Sequence, residues 1–222
     1  MNEQTTTLIL DSLGPLLRAT LTSTIPLTLV SFVLGLVLAL GVALMRLSSV
    51  GVVSALARLY ISVIRGTPLL LQLFIIYYGL PALGLRFDPF PAATLAFTLN
   101  VGGYAAEVIR AAILSVPKGQ WEAASTVGMG YVTTLRRVVL PQAARTAVPP
   151  LSNTLISLVK DTSLASTIQV TELLRVAQEA AAPTYQFFAL YGVAAVYYWV
   201  VCLVLSFGQS RLEERQNRYV AT

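Results

Sequence analysis

From Ala19 to Met45 the chain carries no charged residue, and the same holds from Gly66 to Leu85, from Pro89 to Ala106 and from Ala180 to Ser210. A helix needs ~20 mostly apolar residues to cross the hydrocarbon core of a bilayer, so these runs are credible spans, the third short unless it takes in Glu107. A soluble domain has no use for this much uninterrupted apolar sequence. Of 222 residues, 56% are hydrophobic and 11% charged, with a mean hydropathy of +0.73. The fold class expected is therefore all-α integral membrane. Thr146 to Val159 is a shorter fifth candidate, with Arg145 at one end and Lys160 and Asp161 at the other. It crosses only if its charged end is buried in protein or faces water. One domain covering 1–222 is expected, with five helices at roughly 16–45, 54–80, 90–114, 142–160 and 184–210.

Met1 to Ser12 contains Glu3 and Asp11 but no base, unlike a cleaved signal segment, so the first apolar run is expected to stay as a helix. The single cysteine, Cys202, lies inside the last run and there is no histidine. Disulfide scaffolds, histidine metal sites and Cys/His or Ser/His nucleophile pairs are excluded, and no metal site or catalytic residue is expected. With the N-terminus outside, the inward segments hold Arg46, Arg58, Lys118, Arg136, Arg137, Arg145, Arg211, Arg215 and Arg218, against Arg18, Arg86 and Arg175 outside. The positive-inside rule thus predicts N-out, C-in. Bases spread over helix ends in this way do not form a nucleic-acid face.

Two long connections remain, Ser115 to Arg145 inside and Lys160 to about Ala182 outside. Both are rich in helix formers and are expected to hold short helices. In the first, Gln120 to Val127 forms one or two turns, Gly128 and Gly130 stop them, and Val132 to Leu140 starts a second helix that Pro141 kinks. Pro149-Pro150 is expected to break or kink the chain where the fourth helix begins.

Within the loop 115–141 lies KGQWEAASTVGMG. Glu122-Ala123-Ala124, three residues, Gly128, nine residues, Val138, one residue and Leu140-Pro141 follow in order. This resembles the EAA loop of permease subunits of ATP-binding-cassette (ABC) importers, with Val138 where isoleucine is usual. YISVIRGTPLLLQLFIIYYGLP, FTLNVGGYAAEVIRAAI and LPQAARTAVPPLSNTLISLVKDTSLASTIQV are similar to the polar amino acid branch of that family. KGQWEAA, YYGLP followed by FDPFP, and PPLSNTLISLVKDTSLA look most like its L-cystine permeases. The resemblance implies a five-helix type I permease of the bacterial cytoplasmic (inner) membrane that imports a polar amino acid by alternating access. It implies a second permease subunit in a homodimer, cytoplasmic ABC ATPase subunits and an extracytoplasmic solute-binding protein. ATP and Mg belong to the ATPase: this chain has no phosphate-cradling GxxxxGK[ST] loop, and no cofactor is expected on it. The elbow would dock into the ATPase through Glu122, Ala123, Ala124, Gly128, Leu140 and Pro141. The alternatives are an ATP-independent channel or secondary transporter, and a membrane scaffold that does not transport.

Few residues at membrane depth carry charge or strong polarity, and these are the pathway candidates. Asn100 and Glu107 lie seven apart on one helix face, with Gly103 opening room between them. Asn100 would donate to a substrate carboxylate; Glu107 either receives a substrate ammonium or pairs with Arg110. Pro68 has no N–H for the Ile64 carbonyl, so a kink is expected beside Arg65, which either faces the pathway or braces helices. Tyr60, on another face, has an ordinary interface tyrosine as its default reading. Asp161 either caps the helix that follows, through the N–H of Ser163 or Leu164, or meets a substrate ammonium, or forms an inter-helix salt bridge. Family resemblance puts Asp161 and Ser163 on the pathway.

Overall fold

The computed structural model describes the backbone of residues 3–217. Arg218, counted above among the inward bases, lies outside the described residues. Among the described residues every regular element is helical.

The first rod is α1 (Glu3–Ala19), a widened π turn (Thr20–Thr24) and α2 (Ile25–Leu47). It begins well before the expected position 16, and its apolar stretch Thr5–Leu47 covers 43 residues. The helix expected over 54–80 is instead two arms. α3 (Gly51–Gly66) ends at Thr67-Pro68, and α4 (Leu69–Phe74) with the turns to Leu83 leaves at 105° to it. The kink expected at Pro68 is thus a sharp bend. α5 (Pro89–Leu114) agrees with the expected 90–114. α6 (Lys118–Thr126), α7 (Tyr131–Thr134) and a π turn (Leu135–Val139) lead into α8 (Leu140–Asp161). A 3-10 segment (Thr162–Ile168), α9 (Leu173–Ala181) and α10 (Phe187–Asn217) complete the chain, so both connections contain the short helices expected.

Three π turns interrupt the helices, and each directly precedes an X-Pro pair: Ile25-Pro26, Leu80-Pro81 and Leu140-Pro141. A proline donates nothing to the carbonyl four residues back and its ring crowds it; widening the preceding turn relieves both, and α-helix continues past Pro26 and Pro141, while after Pro81 a 3-10 turn ends the run at Gly84. At Pro141 the widened turn takes up the misfit inside one continuous helical run. Nor does the chain break at Pro149-Pro150, because α8 runs through both.

By length and composition three helical stretches suit a membrane crossing: Thr5–Leu47, Pro89–Leu114 and Phe187–Arg215. The bent pair makes four if it counts as one span. α8 has the length, at 22 residues, but is more polar and packs against α2, α5 and α10. In lipid there is little hydrophobic drive for helices to associate, so close packing of small residues carries the core. A Cβ on Gly35 would sit 2.5 Å from Val101 Cγ1, and one on Gly103 would sit 2.6 Å from Ile64 Cγ2. Ala39, Ala43, Ala93, Ala96 and Ala105 are fully buried in the same core. Gly103 therefore admits Ile64 of α3 and opens no space between Asn100 and Glu107. Large apolar side chains such as Val33, Val37, Val204 and Phe207 point outward, as a lipid-facing surface requires.

Against the first half of α10, a second set of contacts ties α9 down. Glu172, 0% exposed, caps α9 by accepting from Leu174 N at 2.9 Å and Arg175 N at 2.7 Å. The Tyr198 hydroxyl of α10 donates to the same carboxylate at 2.6 Å, and Leu173 N donates to Thr24 Oγ1 in the first π turn at 3.2 Å.

Candidate functional site

The α3–α4 bend opens a polar cavity of about 430 Å³ against α5 and α8. Thr67, Asn100, Tyr104, Asn153, Ser157 and Asp161 give it its polar character. The bend stands because its orphaned carbonyl finds a donor. Gln72 Nε2 of α4 donates to Ile64 O at 2.8 Å, and also to Thr67 O at 3.2 Å and Thr67 Oγ1 at 2.9 Å. The Gln72 oxygen accepts from Asn100 Nδ2 at 3.1 Å. One buried amide thus completes the backbone of α3 and reaches the cavity wall on α5.

Of the residues expected on a pathway, the cavity brings together Asn100 and Asp161. Asp161 does not cap the segment after it: no side-chain cap bond forms there, and the 3-10 turn is held by hydroxyls donating three residues back. The half-buried Asp161 carboxylate has no hydrogen-bond or ion-pair partner among the described residues. Ser163 is off the cavity, its hydroxyl donating to Lys160 O at 2.7 Å. Glu107 lies about a turn further along α5 from Tyr104. It pairs with Arg110, Nη2 to Oε2 2.8 Å, and more loosely with Arg46 of α2 at 3.9 Å. The Arg65 guanidinium lies 5.5 Å from the centre of the Tyr104 ring, so it touches a cavity residue without lining the cavity itself. Tyr60 is a packing residue whose hydroxyl donates to Leu99 O at 2.6 Å.

The elbow forms the second candidate surface. α6 closes on Gly128 at φ 80, with Gly128 N donating to Ser125 O and Met129 N to Ala124 O, both at 3.0 Å. This left-handed closure suits a residue without a Cβ. Trp121 stacks on Tyr131, ring centres 5.8 Å apart, and packs against the body of the protein, and Ala124 is buried. Glu122, Ala123 and Pro141 are exposed, Leu140 half-buried, and Val127 and Val132 are each 74% exposed at the tip. The two alanines therefore separate: Ala123 faces out, while Ala124 is buried within this subunit.

The sequence reading missed Gln72 and Glu172. Gln72 is the lone amide in LLLQLFII, four residues after the proline whose N–H it replaces. Glu172 is the acid of TELL, directly before a helical run, where a side-chain acceptor serves free N–H groups.

This helical architecture, with a bent second span and an exposed elbow of EAA-type spacing, defines the permease subunit of a binding-protein-dependent importer. Residues 31–218 match the binding-protein-dependent transport system inner membrane components, and the chain belongs to that family. It is 55% identical to the L-cystine transport system permease protein TcyB of Bacillus subtilis (strain 168), across 96% of this chain and 92% of TcyB. It is 41% identical to the glutamine transport system permease protein GlnP of Escherichia coli (strain K12), across 82% and 84% of the two chains. A crystal structure of an amino acid ABC transporter with histidines superposes with a TM-score of 0.82 at 37% identity, covering 95% and 94% of the chains. The inward-facing MetNI methionine ABC transporter, 21% identical with a TM-score of 0.74 over 97% and 99%, shares the fold. The protein is thus an all-helical type I permease, the membrane component of an amino acid ABC importer.

Proposed function

We propose that this subunit carries L-cystine across the bacterial cytoplasmic membrane by ATP-driven alternating access. It works as a homodimer with two ATPase subunits and an extracytoplasmic binding protein, its N-terminus outside and C-terminus inside. The observation that carries this reading is the polar cavity at the α3–α4 bend, where Asn100 and an unpaired Asp161 carboxylate meet. Non-helical backbone at membrane depth is tolerated where it lines such a cavity, and a free carboxylate there suits an ammonium group. The similarity to TcyB supports cystine as the cargo. Glu122, Ala123 and the exposed tip of the elbow dock into the ATPase, while Ala124, Gly128, Leu140 and Pro141 hold the elbow's shape.

The test is reconstitution into proteoliposomes with the ATPase and binding protein. Labelled cystine is expected to accumulate with ATP, and excess glutamine, histidine, lysine or arginine is expected to compete poorly. Preferential uptake of one of these, or uptake without ATP, would overturn the assignment.

A further inference from the structure

The hydrogen bonds at the α3–α4 bend fix which way two side-chain amides point. Gln72 faces the carbonyl oxygens of Ile64 at 2.8 Å and Thr67 at 3.2 Å. A carbonyl cannot donate, so the Gln72 branch that faces them is its NH2, and its oxygen is left facing Asn100. That oxygen accepts only, so Asn100 must turn its own NH2 toward it, at 3.1 Å. Oxygen and nitrogen occupy opposite branches of one planar amide, so the Asn100 carbonyl oxygen points away from Gln72. No described residue donates to it. Among the described residues the one buried side-chain polar atom without a partner is Thr98 Oγ1, so the Asn100 oxygen is not sealed in. Asn100 lines the cavity together with Asp161. This orientation is the reverse of the one expected from sequence, in which Asn100 donates to a carboxylate.

We infer that Gln72 is a positioning residue for substrate recognition: it locks Asn100 with the carbonyl oxygen toward the cavity, where that oxygen and the Asp161 carboxylate form an acceptor pair for a substrate's ammonium groups. The inference rests on the proposed transport function. Pro68 orders the whole arrangement, because its missing N–H is what turns the Gln72 amide.

The experiment uses the complete importer in proteoliposomes at saturating cystine and binding protein, and reads cystine moved per ATP hydrolysed. Asn100→Leu is expected to lower that ratio about tenfold, the worth of one hydrogen bond to a charged group, while stimulated ATPase activity persists. Gln72→Met is expected to do the same, and the double variant to be no worse than either single. Losses that multiply in the double variant would overturn the positioning role and leave Gln72 as a brace of the bend. Asn100→Asp keeps an oxygen for the cavity and, protonated toward Gln72, keeps the donor, so it should retain most of the ratio even if Gln72→Met fails to assemble. A ratio for Asn100→Asp as low as for Asn100→Leu would overturn the inference. If neither Asn100→Leu nor Asp161→Asn lowers the ratio, the cavity reading itself fails, an outcome distinct from the other two.

Discussion

Two acidic residues at membrane depth, Glu107 and Asp161, look alike in sequence and are used differently in the fold. Glu107 has guanidinium partners on two helices, and its side chain is 23% exposed. Asp161 has none and borders the cavity. The Glu107–Arg110 pairing was legible from spacing alone, since residues three apart share a helix face. That Asp161 forms no ion pair with any described residue, although the charge of Lys160 lies beside it, was not, because it depends on what α5 and the bent α3–α4 pair bring opposite it. Different phenotypes follow. Glu107→Gln is expected to remove about 1 kcal/mol, lowering the melting temperature of the purified complex by a few degrees while cystine moved per ATP stays constant. Asp161→Asn is expected to leave the melting temperature near wild type and cut cystine uptake at least about tenfold, since the lost contact is to a charged group. Thermal melts and uptake on the same preparations separate the two roles.

Helix ends were read less well than helix existence, and the prolines explain why. Rules learned on soluble helices make a proline a stop or a kink, whereas here Pro26 and Pro141 are absorbed by π turns and two more prolines pass through α8. At Pro68 the chain bends by 105°, and there a glutamine replaces the missing donor. Packing between elements is equally specific. Gly103→Ala puts a methyl 2.6 Å from Ile64 Cγ2 at the α3–α5 contact, so a loss of about 1–3 kcal/mol is expected, seen as a lower melting temperature. Ile64→Ala should partly restore it. The cap of α9 adds a pH dependence. Burial pushes the Glu172 carboxyl above the usual carboxylate range, with the Tyr198 hydroxyl and the Leu174 and Arg175 N–H groups pulling the other way. The folded state therefore holds the proton more tightly than the unfolded one. Its contribution to stability is full below the ordinary carboxylate pKa and is lost as pH rises through the raised one. Melting temperatures measured between about pH 4 and pH 8 should fall more steeply for wild type than for Glu172→Gln. Equal slopes would mean that Glu172 does not titrate on its own in that range.

Across the whole molecule, the cavity and the elbow lie on different parts of one continuous path. α8 borders the cavity at Asn153, Ser157 and Asp161, and its first turn joins the π turn that carries the elbow into the body. Val139, Ala143 and Ala147 of this run pack with Ile113 and Val116 at the end of α5, and Trp121 seats α6 there. A force on α6 therefore reaches α8 through a packed apolar contact and not through a loose loop, as transmission between an ATPase and a cavity demands. The elbow itself, two short helices turning at Gly128, was legible in the sequence. What the spacing did not reveal is that Ala124 faces inward, because only the fold fixes which side of a short helix is covered. In the proposed docking role the charge that counts is Glu122, which is exposed. Glu122→Lys reverses its charge without touching the Trp121–Tyr131 stack or the Gly128 closure, so the permease should insert and melt as wild type does. Stimulation of ATP hydrolysis by cystine-loaded binding protein should disappear, together with uptake. Ala124→Leu would act differently, overfilling a buried position and lowering stability along with coupling. Undiminished ATPase stimulation in Glu122→Lys would remove Glu122 from the docking surface and leave the exposed tip at Val127 and Val132 to carry it.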